Sequence, residues 1–304
     1  MSVAVSPNDA NLMVYSILEG PMQRTTDGGS SWNPVDTGDI VVRRVEATNM
    51  GANLFTTVVF APDNENIAYA ATVSGMHRSG TDRGPVPVYV SRDGGAKWKL
   101  AGTCETCGAA ITMAVQPGDS NVVWAATNNG VQVSRDGGKT WSGNLIERYT
   151  RNSHSYGIAL RPGDPDTILL ASNESGMFRS TDGGATWTQA NTGLGTQELH
   201  QVTFATSNSD VAYVATHEGV YRSDDAGQTW VSRNRGLQYL FSTPIAVDPR
   251  NEDIVVVGSS SRYLQTHPRL FMPGFTKEHG PTKPPAGGLH WFGRATDITH
   301  PNSP

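Results

Sequence analysis

Apolar residues in this chain come in short runs that alternate with polar residues, end at turn signals and recur in a fixed order. A first run closes near proline in VAVSP, VVFAP, MAVQP, IALRP and IAVDP, at Pro7, Pro62, Pro117, Pro162 and Pro249; VTFAT (Val202 to Thr206) is the copy without it. Proline at a strand end costs no ladder hydrogen bond, so it reads as a stop. A second run follows in IAYAAT (Ile67 to Thr72), VVWAAT (Val122 to Thr127), ILLASN (Ile168 to Asn173), VAYVAT (Val211 to Thr216) and IVVVGS (Ile254 to Ser259). Their β-branched and aromatic residues suit half-buried strands. A third, alternating run leads into each turn in VYVSRD, VQVSRD, MFRSTD and VYRSDD, which end at Asp93, Asp136, Asp182 and Asp225.

The turn itself is one phrase written five times: TTDGGSSW (Thr25 to Trp32), SRDGGAKW (Ser91 to Trp98), SRDGGKTW (Ser134 to Trp141), STDGGATW (Ser180 to Trp187) and SDDAGQTW (Ser223 to Trp230). Its aspartates, Asp27, Asp93, Asp136, Asp182 and Asp225, are 66, 43, 46 and 43 residues apart. A phrase recurring at this period marks a repeat architecture. A short carboxylate can accept backbone N–H groups and close a turn from inside, and glycine supplies the positive φ such turns need. Tryptophan then opens the next strand; five of the seven sit in this slot, the others being Trp124 and Trp291, which favours packing over ligand stacking. The five aspartates are expected to be structural, because a catalytic acid is not needed five times.

Each unit therefore reads as four short antiparallel strands in about 45 residues, the pattern of a propeller blade. The wording resembles the Asp-box (BNR) repeat family, which includes sialidases, xyloglucan-degrading glycoside hydrolases, sortilin receptors and a photosystem II assembly factor. The resemblance covers nearly the whole chain and implies an all-β propeller; its members do unrelated things on that scaffold. Six blades are counted in a single domain, 1–304, and the absence of a sixth box leaves the count open to seven. Two interruptions stand out: a long link at 38–54 with an insert at 74–87, and a proline-rich stretch at 262–288 with no box. HWFGRATDI (His290 to Ile298) reads as a returning strand.

Charge narrows the partners. Charged residues are 17% of the chain and the formal net charge is −5, with no basic stripe, so nucleic acid is not expected. No apolar run approaches the ~20 residues of a membrane helix, and no cofactor or metal is expected. No secretory leader opens the sequence, which fits either a cytoplasmic protein or a mature extracytoplasmic one. Cys104 and Cys107 stand in CETCG; a loop pair, disulfide-bonded or not, is favoured over half a metal site or a redox pair.

In a four-stranded blade the turns alternate between two faces. The box turns share one face; the second turns and the blade-to-blade links share the other. In catalytic members of the resembled family the active site is on that second face. Candidate carboxylates there are Glu19, Glu174 and Glu218 at second turns and Glu46, Glu105, Glu147 and Glu198 in links. Candidate binding residues are Arg43, Arg44, Glu147, Arg148, Tyr149, Arg151, His154, His200, Arg235 and Tyr239, since arginines pair bidentately with anions and aromatic faces beside acids suit sugars. Resemblance to the xyloglucan-degrading enzymes places Glu19, in VYSILEGPMQR, near a catalytic acid, while the Arg-Ile-Pro motif of sialidases is missing. The expected role is a module that binds a protein or glycan on its loop face. The alternative is a glycoside hydrolase, xyloglucanase-like or sialidase-like, with Glu19 as one acid.

Overall fold

The computed structural model describes residues 2–16, 21–36, 54–73, 85–107, 110–127, 129–143, 155–260 and 293–294. Its elements are all strands, arranged as six antiparallel blades of a propeller. Blade one holds β1 (Ser2–Val5), β2 (Met13–Ser16), β3 (Gln23–Thr25) and β4 (Asn33–Pro34). Blade two holds β5 (Leu54–Ala61), β6 (Asn64–Val73), β7 (Val86–Ser91) and β8 (Lys99–Cys104). Blade three holds β9 (Ala110–Val115), β10 (Val123–Thr127), β11 (Gly130–Ser134) and β12 (Ser142–Gly143). Blade four holds β13 (Ser155–Arg161), β14 (Asp164–Ser172), β15 (Gly176–Ser180) and β16 (Thr188–Gln189). Blade five holds β17 (Leu199–Phe204), β18 (Ala212–Thr216), β19 (Gly219–Ser223) and β20 (Val231–Ser232). Blade six holds β21 (Phe241–Asp248), β22 (Asn251–Ser260) and β23 (Gly293–Arg294), three strands among the described residues. Val256 pairs with Arg294, so the returning strand falls within the stretch read for it.

The boxes are built as their chemistry dictates. In blade four Ser180 Oγ donates to Asp182 Oδ1 at 2.8 Å and accepts the Gly184 N–H at 2.9 Å, while Thr186 offers its N–H and hydroxyl to the same carboxylate. Blades one, three and five repeat this set on Asp27, Asp136 and Asp225. Blade two keeps the backbone bond from Lys97 to Asp93. The hydroxyls of Ser31, Thr140 and Thr186 hold Asp27, Asp136 and Asp182 down at about 2. Burial pushes Asp93 and Asp225 up; the Lys97 N–H and the Thr229 hydroxyl, with further bonds, more than offset it and leave both below the usual carboxylate range. All five carboxylates are bonded within their own turns.

Blades join through the same wording. The central residue of each second strand is fully buried at 0% exposure: Val14, Tyr69, Trp124, Leu169 and Tyr213. The first four lie against the second box glycine of the next blade, where a Cβ would meet them: at Gly95 2.5 Å from Val14, at Gly138 3.7 Å from Tyr69, at Gly184 2.3 Å from Trp124 and at Gly227 2.5 Å from Leu169. At Gly95, Gly184 and Gly227 glycine is thus required twice over, by positive φ and by the neighbouring sheet, while at Gly138 the Tyr69 contact is an ordinary one. Trp98 and Trp230 pack into the cores shared with blades one and four respectively, so the box tryptophan does anchor blade to blade. Five shared cores result, one at each junction from blades one and two to blades five and six.

Candidate functional site

Opposite the boxes, the described loop face is best defined over blades four to six. β17 carries a bulge between Leu199 and Gln201, so His200 is the extra residue. A bulge re-aims a side chain at a strand end. Here the His200 ring lies tilted against His217, from the β18–β19 turn, with centroids 4.6 Å apart, and meets Phe241 of β21 edge-on at 5.1 Å. His217 is fixed from the other side: its N–H donates to the Glu198 carbonyl at 3.1 Å and its Nδ1 lies against the Glu198 carboxylate. Burial is the main cause holding His200 at about 4; neighbouring His217 pushes the same way and Glu198 opposes. His200 is therefore neutral near pH 7.

Asparagines from the following link support this rim. Asn191 Oδ1 accepts the Met177 N–H at 2.7 Å, and Asn234 Oδ1 accepts the Val220 N–H at 2.8 Å. Asn234 also donates to the Glu218 carbonyl, and Tyr221 OH accepts the Gly195 N–H at 3.2 Å. Beyond the cluster, the link into β21 presents Arg235, Tyr239 and Leu240 to solvent. The surface thus combines a pinned carboxylate–imidazole pair, an aromatic wall and exposed apolar groups. On the neighbouring second turn Glu174 is exposed and sits at φ 68, a conformation rarely adopted by residues other than glycine.

Of the residues singled out in the sequence, the structure brings together His200 and Glu198, and it leaves Arg235 and Tyr239 exposed on the adjoining link. Glu19, Arg43, Arg44, Glu46, Glu147, Arg148, Tyr149, Arg151 and His154 lie outside the described residues. His217 and Phe241 were not singled out; the signal for His217 was its place directly after the second run of blade five. Glu105 lies in the loop closed by a disulfide between Cys104 and Cys107, whose residues are buried at the junction of blades two and three. The cysteine pair is thus a bonded loop pair. Among the described residues no group of three or more His, Cys, Asp or Glu is arranged to hold a metal, and no helix is long and apolar enough to cross a membrane.

A BNR/Asp-box repeat family model matches residues 132–142, the box of blade three. The chain thus carries a BNR/Asp-box repeat on the blades of a β-propeller. A xyloglucanase of Hypocrea jecorina (strain QM6a) is 25% identical over 227 residues, covering 64% of this propeller and 25% of that protein. The GH74 enzyme of Niastella koreensis superposes with TM-score 0.66 at 19% identity, covering 85% of this propeller and 40% of that chain. YCF48 bound to D1 peptide superposes with TM-score 0.58 at 17% identity, covering 85% and 74%. The two structural likenesses are likenesses of fold. The Asp-box propeller spans about a quarter of the length of the curated xyloglucanase it matches.

Proposed function

We propose that this Asp-box propeller is a binding module whose loop face takes a protein segment or a glycan over blades five and six. The observation that carries the reading is the cluster of Glu198, His217, His200 and Phe241, fixed from two blades beside exposed Tyr239 and Leu240. Rigid aromatic groups with a polar rim supply most of the energy at binding surfaces. Support comes also from structural neighbours, one of which holds a peptide. Peptide and glycan arrays read with the wild type, Tyr239→Ala and Glu198→Gln test it. A bound ligand should weaken about tenfold or more with Tyr239→Ala; unchanged binding by both variants rejects this location.

A second reading is favoured by the likeness to a xyloglucanase: hydrolysis of an oligo- or polysaccharide, with Glu19 as one acid. Its test is a glycosidase screen of wild type beside Glu19→Gln. Hydrolysis abolished by that single change would place hydrolysis ahead of binding.

A further inference from the structure

The contact between blades five and six is held differently at its two ends. At the box end the bonds are polar and several. Tyr213 OH donates to the Glu252 carbonyl at 2.9 Å, Ser207 to the Glu252 carboxylate at 2.8 Å and Thr206 to the Pro249 carbonyl at 3.0 Å, while Arg222 pairs with Asp253. At the loop end the junction is closed by rings. His200 and His217 of blade five and Phe241 of blade six touch pairwise: the centroid of His200 is 4.6 Å from that of His217 and 5.1 Å from that of Phe241, and His217 is 4.8 Å from Phe241. Leu199, Thr216 and Ser242, next to them in the chain, are fully buried, so the rings close over packed strands.

Mild acid acts on the described blades chiefly at this place. Histidine is the side chain whose ordinary titration falls between pH 5 and 8, and His200 and His217 are the two histidines among the described residues. The groups around His200 come from each neighbouring element. Its own strand end brings Glu198, whose carboxylate is already engaged by His217 Nδ1; the β18–β19 turn brings His217 and, one residue on, Glu218. The link at 233–240 brings Arg233, Arg235 and Tyr239, β21 has no titratable side chain before Asp248, and β13 brings Gly157 beside the His200 carbonyl. A proton on His200 therefore sits in a half-closed apolar contact against a second imidazole. Burial above all, and then His217, hold its pKa at about 4, with Glu198 opposing.

We propose that the three rings are an acid-released latch: a proton taken up by His200 parts it from Phe241 and opens the loop-face end of the junction between blades five and six, while the box end stays closed. Opening returns the imidazole to water, where it takes the proton at its ordinary value; closure denies it the proton. Between the ordinary 6.5 and about 4, the balance moves towards the open form by up to about thirtyfold at pH 5 and hardly at all at pH 7.5. The latch is independent of what the loop face binds.

Hydrogen exchange of the full-length protein, read by mass spectrometry at pH 7.5 and 5.0 and corrected for the intrinsic pH dependence of exchange, tests it. His200→Phe keeps a ring in place and cannot take a proton; His200→Gln is a second, smaller replacement that does not titrate. In the wild type, amides at 199–202, 215–219 and 241–243 should lose about tenfold or more in protection at pH 5.0. Amides of the box end, at 206–213 and 250–255, and of the blade three box, at 132–141, should keep theirs. In both variants the acid-induced loss at the loop end should disappear, whatever its protection at pH 7.5. Equal corrected protection of the loop end at the two pH values in the wild type overturns the latch. Loss that spreads to the box end and to blade three overturns it too, because the whole fold is then yielding. An acid-induced loss of the same size in both variants also overturns it, since the proton then acts elsewhere.

Discussion

Gly184→Ala probes the rule that fastens one blade to the next. Gly184 has φ +82, and an added Cβ would lie 2.3 Å from Cη2 and 2.8 Å from Cζ3 of fully buried Trp124. Left-handed backbone costs alanine about 1–2 kcal/mol, of which the lower entropy of the unfolded chain returns about 0.5 kcal/mol. Overpacking adds about 1–3 kcal/mol, since neither a tryptophan held in a close-packed core nor the blade behind it can withdraw freely. The sum is a loss of about 2–4 kcal/mol. Two controls separate the contributions. Gly118 has φ +83 with nothing within 4 Å of the added atom, and Gly29 has φ +91 with Met13 Cε at 3.6 Å, an ordinary contact. Gly118→Ala and Gly29→Ala should therefore lose only about 1 kcal/mol each. Urea melts followed by tryptophan fluorescence and circular dichroism give the three values. In a Trp124→Phe background the cost of Gly184→Ala should fall by about 1 kcal/mol or more, because the smaller ring makes room. Equal midpoints for Gly184→Ala and Gly118→Ala would refute the claim that the box glycine is a packing surface between blades.

Four further outcomes follow from the geometry. His200 is held at about 4 against an ordinary 6.5, so between these values the unfolded chain takes up a proton that the folded chain refuses; stability should be full above pH 6.5 and fall by about 1–2 kcal/mol towards pH 4, allowing for solvent screening of a partly exposed ring, and His200→Gln should flatten that stretch of a stability-against-pH curve. Asp27, Asp136 and Asp182, held at about 2, contribute stability that is complete above their usual 3.8 and is lost as pH falls through about 2, which acid titration by circular dichroism reads directly. Ser180→Ala removes the hydroxyl that bridges Asp182 and the Gly184 N–H and should cost about 1–2 kcal/mol in urea. Ala226 sits at φ 56 where the other boxes have their first glycine, so Ala226→Gly should raise the stability read from urea melts, by up to about 1 kcal/mol.

By itself the sequence determined the parts. Turn chemistry and the short apolar runs decide where each strand starts and stops, because hydrogen bonding of Asp182 with Ser180 and Thr186 is local, complete within eight residues and indifferent to the rest of the ring. The turn chemistry around the five aspartates could be read for that reason, whereas Cys104 and Cys107 read only as a loop pair with its bonding open, which the structure closes as a disulfide. The tertiary structure decided what those parts meet. The pairing of His217 with Glu198, 19 residues apart, depends on the link from blade four passing beside the second turn of blade five. The edge-on contact of His200 with Phe241 depends on a bulge, which shifts a side chain without altering the apolar pattern. The exposure of Val256 was equally illegible: IVVVGS reads like the other second runs, and only the arrangement of the blades shows that Val256 lacks the cover given to Val14, Tyr69, Trp124, Leu169 and Tyr213. A local pattern encodes which face of a strand is apolar, while the sheet that covers that face comes from elsewhere in the chain.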